Sequence, residues 1–560
     1  MLKFKKVFNL ALLIIFLCEG IALANPKNNC ALRPPMLSKL ISAAPPSVIT
    51  VKTEDNKIIE LKTSHFPDRE IYLRIMNPGV VNGASVTVTS FLDSSEDLVK
   101  AIILLDNLKR NGAKSIRLVL GKEYGIKNSL DRLLRFYCDQ LFCNGVASGA
   151  IPLEAVKKDE GPHLVTKVFY THERLKQDAE EAADYINAES EKVEIVKPDE
   201  SPLSWKVDIK SDLRGEDVIL VHTTENVYDF AELWVMLIAL RTAGVNTISL
   251  INTYEGYSRQ DKEFNPGEAV SAETMLKTLD ALVDNHMGLN IHYADNSGKV
   301  ENKSDPNAFV NRYALYNLNA FVQLAENLFD RIAAWSEGDL AEELNKHPLV
   351  LVGPDDGALG YAEEAAEVLK DYIQKKYNIE VTVHVGYMDK KRISGKEVQV
   401  EGRVLGKDGN PITTVSNIKD CWVMILDDET SWGTTLLAST YALVRKAGVA
   451  WSRVLAGVVH GKLAQGLEPF KTGYSEDDIM AAVKYGVAIE PKEECINETK
   501  KLMPPRFFVT TKSITLPKDF PEDQSVSIGP IIAHAAKTFV GKKAPLEQLK
   551  NQKRILVEAL

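Results

Sequence analysis

The sequence predicts an α/β protein of tandem domains, each a parallel sheet flanked by helices. Two patterns and one motif predict it. Apolar runs of strand length alternate with amphipathic helical stretches along most of the 560 residues, the mark of parallel strands joined by crossover helices. A strand–loop–helix–strand block occurs twice: SVTVTSFLDSSEDLVKAIILLDNLKRNGAKSIRLVLGKEYG (Ser85 to Gly125) aligns without gaps on DVILVHTTENVYDFAELWVMLIALRTAGVNTISLINTYEGY (Asp217 to Tyr257). The motif is WVMILDDETSWGTT, Trp422 to Thr435, an apolar run closed by two carboxylates and a glycine-bearing loop before the next helix.

In chain order, Lys3, Lys5 and Lys6 precede an apolar run, Val7 to Leu17, that is too short to span a bilayer comfortably. Ala22-Leu23-Ala24 then sets small residues before Asn25. Residues 1–24 therefore read as a cleaved signal peptide, and the chain is expected to be exported, periplasmic or secreted. No later stretch is long and apolar enough to cross a membrane. The cysteines left after cleavage, Cys30, Cys138, Cys143, Cys421 and Cys495, are too sparse for a disulfide framework. The net charge of −10 argues against nucleic-acid binding.

Residues 25–160 hold the first copy of the repeat, Pro-rich at the start. Residues 165–330 hold the second. Gly112 and Gly244 coincide at the helix ends, where a left-handed cap favours glycine. Leu108 matches Leu240 and Asp97 matches Asp229, so duplication is the better reading of the match. Residues 331–545 form a third α/β unit. Within it, LVLVGPDDGALG is a strand with an acidic turn, and VTVHVGYMDKKR is a strand ending in a basic cluster. GKEVQVEGRVLGKDGNPITTV follows as a hairpin or flap, and residues 546–560 close the chain as a surface helix.

The chemistry is densest at Asp427, Asp428, Thr430, Ser431, Gly433, Thr434 and Thr435. Paired carboxylates can accept hydrogen bonds from the vicinal hydroxyls of a sugar. Loop amides and hydroxyls at a helix N-terminus can hold a phosphate. Together they suit ribose 5-phosphate or its pyrophosphorylated form.

This loop resembles that of the phosphoribosyltransferase fold, and from about Val168 to Leu546 the chain resembles a ribose-phosphate pyrophosphokinase. EGYSRQD (Glu255 to Asp261) is similar to the family's ATP-contacting segment, which implies ATP roles for Arg259 and Gln260. LNIHYAD (Leu289 to Asp295) places His292 near ATP and metal, with Asn290 where the family has Asp. GPDDGALG (Gly353 to Gly360) makes Asp355 a metal-organising acid, with Ala358 in place of a glycine. MDKKR (Met388 to Arg392) makes Lys390 and Arg392 the catalytic cations that stabilise charge on a transferring diphosphoryl group. HFPDREIYLRI (His65 to Ile75) resembles a loop that, in the family, reaches a neighbouring subunit's ATP. It offers Phe66, Asp68 and Glu70, with Arg69 replacing glycine.

The second copy lacks that loop and the first lacks the RQD segment. The two halves of an ATP site are thus divided between the copies, and the first copy is expected to stand in for a neighbouring subunit. The resemblance implies a diphosphokinase that uses ATP, ribose 5-phosphate and Mg²⁺ and assembles as a homo-oligomer. A second reading is a non-catalytic homologue, favoured by Arg69, Asn290, Ala358 and Trp432, the last replacing Thr in the phosphate loop. A transferase consuming phosphoribosyl pyrophosphate is a third, against which the ATP-side segments speak.

Overall fold

The computed structural model describes residues 49–538, apart from residues 67, 121–129, 144–145, 148–164, 198–199, 201, 203–204, 210–211, 337, 393–397, 413–416, 465, 476–477 and 479–488. The expected signal peptide and the closing helix lie outside the described residues.

The first sheet contains β1 (Thr50–Thr53), β4 (Ser85–Ser90), β5 (Ser115–Leu120), β6 (Gln140–Cys143) and β7 (Val146–Ala147), in that spatial order. The hairpin of β2 (Leu61–His65) and β3 (Ile71–Ile75) stands beside it. Helix α1 (Ser95–Arg110) crosses from β4 to β5, and α2 (Leu130–Tyr137) precedes β6. The second sheet is built from β8 (Val165–Tyr170), β9 (Glu189–Lys192), β12 (Asp217–His222), β13 (Thr247–Asn252), β14 (Asn285–Leu289), β15 (Gly298–Lys299) and β16 (Leu315–Leu318). Its order is β15-β16-β14-β13-β12-β8-β9, with a separate hairpin of β10 (Glu194–Val196) and β11 (Lys206–Asp208). Its helices are α3 (Lys176–Ile186), α4 (Val227–Thr242) and α5 (Ser271–Asp280).

The duplicated block folds the same way twice. Strand, helix and strand are 6, 16 and 6 residues long in both copies. Both helices open with a capping box, Ser94 with Asp97 and Asn226 with Asp229. Such a cap satisfies amide donors that the helix leaves free, and is worth about 1 kcal/mol. Both end at a glycine of positive φ, +83° at Gly112 and +84° at Gly244. The two copies share one core. Leu104, Leu108 and Leu118 of the first pack in a cluster with Phe230, Trp234 and Leu250 of the second. Helix α4 is apolar nearly all round, as a helix sandwiched between layers must be.

The third sheet runs β19-β18-β17-β20-β21-β22-β23. Its strands are β17 (Leu349–Gly353), β18 (Val383–Arg392), β19 (Val398–Leu405), β20 (Trp422–Thr430), β21 (Val454–Gly461), β22 (Phe507–Thr511) and β23 (Ser525–Val526). Helices α6 (Phe321–Trp335), α7 (Leu340–Lys346), α8 (Leu359–Tyr377), α9 (Thr434–Arg445) and α10 (Gly529–Thr538) accompany it. The sheets are parallel in their interiors and mixed at their edges. β1, β7, β15 and β19 each pair antiparallel with their neighbours. The basic strand β18 turns back through β19 as an antiparallel extension, where the sequence suggests a flap. Loops bearing the candidate site residues leave the carboxyl ends of β13, β14, β17 and β20, the usual place for a site in parallel sheets.

Candidate active site

Strand β20 sits centrally between β17 and β21, so its end is held firmly. It continues through both carboxylates: Asp427 pairs with Val458, Glu429 with His460 and Thr430 with Gly461. The sequence suggests that the strand stops at the acidic pair. Pairing on both sides carries it on to Thr430, because neighbouring strands supply partners that local composition does not reveal.

The turn to α9 is made by Gly433, at φ +74°. A Cβ there would lie 2.6 Å from the Phe470 ring, so glycine is required twice over. Its amide donates to Thr430 Oγ1 at 2.9 Å. Thr434 and Thr435 open α9, which carries no side-chain cap. Its first amides thus form the kind of terminus that binds an anion. The Trp432 indole points out of this loop and is 45% exposed.

The surroundings push the Asp427 and Asp428 carboxyls in opposite directions. Burial raises the Asp427 carboxyl well above its usual range, and the neighbouring Asp428 and Asp355 charges raise it further. Burial also opposes charge on Asp428, but His292 outweighs it and holds that carboxyl low. His292 Nδ1 lies 2.8 Å from Asp428 Oδ2. Burial disfavours the imidazolium, yet Asp428 overrides this and raises His292 to about 9. Lys390 Nζ reaches Asp355 Oδ2 at 3.0 Å. The backbone of Arg392 ends β18; its side chain lies outside the described residues.

The nucleotide-side residues converge on a cavity of about 1020 Å³. Phe66, Asp68, Glu70, Arg259, Gln260 and His292 all line it, and Ser431 and Trp432 form its border with the phosphate loop. Glu70 is buried against the second copy, accepting from the Tyr257 amide at 2.6 Å and from Gln260 Nε2 at 3.1 Å. Arg259 Nη1 donates to Ser431 Oγ at 3.4 Å. The residues between and around these groups account for the departures noted in the sequence. Arg69 adopts the left-handed region, φ +70°, that glycine would occupy without strain. Asn290 turns away from the site, 1% exposed, and accepts from the Ala320 amide at 2.6 Å. Ala358 packs under Gly353, where a Cβ would lie 2.8 Å from that of Ala358.

Glu429, Lys462 and Tyr254 escaped the sequence reading. Tyr254 Oη donates to Glu429 Oε2 at 3.1 Å, and Lys462 Nζ lies 3.1 Å from Glu429 Oε1. The signal for Glu429 was a third consecutive acid, and for Lys462 a lysine directly after an apolar strand.

Two family models match the chain. The N-terminal domain of ribose phosphate pyrophosphokinase matches residues 167–282, and the phosphoribosyl transferase domain matches residues 322–490. The chain belongs to the ribose-phosphate pyrophosphokinase family. The matched residues begin at 167, after the first copy of the repeat. The ribose-phosphate pyrophosphokinase of Methanopyrus kandleri is 28% identical over 247 residues, 43% of this chain and 72% of that protein. That of Halobacterium salinarum is 29% identical over 273 residues, 48% of this chain and 79% of that protein. A phosphoribosylpyrophosphate synthetase from Mycobacterium smegmatis covers 67% of this chain and 98% of its own, at 18% identity and a TM-score of 0.43.

Proposed function

We propose that this pyrophosphokinase-family chain transfers the β,γ-diphosphoryl group of ATP to the C1 hydroxyl of ribose 5-phosphate. The C1 oxygen attacks the β-phosphorus, the bond from that phosphorus to the α–β bridging oxygen breaks, and AMP leaves with the electron pair. The hydroxyl proton is released to water, and phosphoribosyl pyrophosphate is the other product. One observation carries this reading: the ribose-phosphate loop and the nucleotide cavity meet across the 2.8 Å contact of His292 with Asp428.

Asp427 and Asp428 hold the ribose hydroxyls. Thr430, Ser431, Gly433, Thr434 and Thr435 hold the 5-phosphate. Phe66, Asp68, Glu70, Arg259, Gln260 and His292 hold ATP, and Lys390 and Arg392 steady the charge that develops on the moving group. Asp355, a hard oxygen donor whose charge is felt by the buried Asp427 carboxyl, and His292 would hold Mg²⁺. A bound Mg²⁺ supplies charge neutralisation on the phosphates.

The nucleotide half-site contains residues of both repeat copies within one chain, so the first copy takes the place of a neighbouring subunit. We include homo-oligomerisation beyond that unit and export through residues 1–24 in the proposal. Sedimentation of the purified protein and the mass of its mature N-terminus test these two.

The test of activity is AMP release from ATP with Mg²⁺, with and without ribose 5-phosphate. AMP is expected when the sugar phosphate is present, and Lys390→Ala should lower the rate by about 100-fold or more. No AMP from folded protein at high concentration would sink the catalytic reading in favour of a module that binds nucleotide or sugar phosphate.

A further inference from the structure

Lys462 is a charged residue beside the site to which the reaction above gives no role. It follows β21 directly, and its amide donates to the Thr430 carbonyl at 3.0 Å. The backbone of Lys462 is therefore pinned to the base of the phosphate loop. Its side chain is 10% exposed and runs toward the nucleotide cavity. The ammonium lies 2.9 Å from Asp68 Oδ2, 3.1 Å from Glu429 Oε1 and 3.6 Å from Glu70 Oε1. It also sits 4.8 Å from the centre of the Tyr254 ring. These partners come from three distant stretches of chain: the loop of the first copy, strand β20, and the turn after β13.

The charges explain why such a group is needed. Two of the three carboxylates, Asp68 and Glu70, line a cavity that must accept a polyanion, and Glu429 stands behind them. Left alone they would repel each other and the ligand's phosphates. Burial disfavours the ammonium, yet Glu429, Glu70 and Asp68 hold it protonated above the usual lysine range. The ammonium donates a hydrogen bond to Asp68 Oδ2 and is ion-paired with Glu429 and Glu70, so its charge is already engaged by carboxylates. Its effect passes through what it holds. Glu70 carries the restraint onward to Tyr257 and Gln260, and Asp68 is two residues from Phe66.

Resting on the diphosphokinase reading, we propose that Lys462 is a positioning residue for nucleotide. It clamps the Phe66–Glu70 loop of the first copy over the cavity and ties that loop to the ribose-phosphate half. Because the contact to Thr430 is made by its backbone, the side chain governs ATP and leaves the sugar phosphate alone.

The test is calorimetric titration of ATP, and separately of ribose 5-phosphate, into the full protein and Lys462→Met. The expected result is ATP affinity at least about tenfold weaker, in line with truncating a buried charge pair, and ribose 5-phosphate affinity within about twofold. Lys462→Arg should regain part of the ATP affinity. If bare carboxylates prevent Lys462→Met from folding, Glu429→Gln/Lys462→Met is compared with Glu429→Gln and the same split is required. Equal losses for both ligands, or unchanged ATP affinity, would overturn the clamp while leaving the diphosphokinase reading intact. Absence of ATP binding by the unsubstituted protein would overturn both.

Discussion

Trp432 shows how one side chain's direction changes its meaning. A tryptophan in a phosphate loop suggests obstruction. Here the indole leaves the loop and borders the nucleotide cavity with Phe66. A half-exposed aromatic face at a cavity edge suits a flat heterocycle. Trp432→Ala is therefore expected to weaken ATP binding by about three- to tenfold and leave ribose 5-phosphate binding unchanged. Titrations of each ligand check this, with quenching of indole fluorescence by ATP in the parent protein as a second readout. Asn290 is a similar case. Its loss of charge relative to Asp matters little for a metal, because its oxygen accepts from the Ala320 amide inside the fold.

Among elements, β20 and the pair α3–α10 carry the clearest consequences. β20 tolerates three successive acids because it is flanked by strands and its end opens onto cations and His292. The α3–α10 contact joins the second and third sheets and buries ionisable groups without using them chemically. His534 on α10 is 6% exposed, with both ring nitrogens lacking partners among the described residues. Burial lowers it to about 4, and Lys537 adds to this. A histidine whose folded pKa is depressed stabilises the fold above its ordinary value near 6.5, and that contribution is lost as pH falls toward 4. Asp178 on α3 has the opposite sign. Burial raises it to about 7, so its contribution is present below its ordinary value near 3.8 and is lost as pH rises toward 7. His534→Phe is expected to remove the acid-side loss, worth up to about 3 kcal/mol at pH 4. Asp178→Asn should stabilise at pH 8 more than at pH 4. Denaturant midpoints at several pH values measure both.

At the scale of the whole molecule, the first repeat copy is structural as well as functional. It shares a core with the second through α1 and α4, and polar ties cross the same boundary. Lys277 Nζ meets Asp106 at 2.7 Å, and Asn107 Nδ2 donates to the Gly267 carbonyl at 3.0 Å. A chain starting at residue 165 would expose the apolar face of α4 that now contacts α1. Such a patch drives association. That truncated chain is expected to aggregate or oligomerise on size-exclusion chromatography, and to lose measurable ATP affinity. A monomeric, ATP-binding truncation would show that the first copy is dispensable.

The sequence by itself determined the alternation of strands and helices, the twofold block, and the order of segments from EGYSRQD to DDETSWGTT. These are legible because period, caps and turn residues act over a few positions. Gly112 and Gly244 were marked by backbone need at the helix ends, and Gly433 by its place in the loop between the carboxylates and the next helix. What tertiary structure decided is which side chains meet. The length of β20, the inward turn of Asn290, the outward indole of Trp432, and the cage of Asp68, Glu70 and Glu429 around Lys462 depend on contacts between residues tens to hundreds of positions apart. No local pattern encodes such contacts, because burial and charge pairing are set only when the sheets pack together.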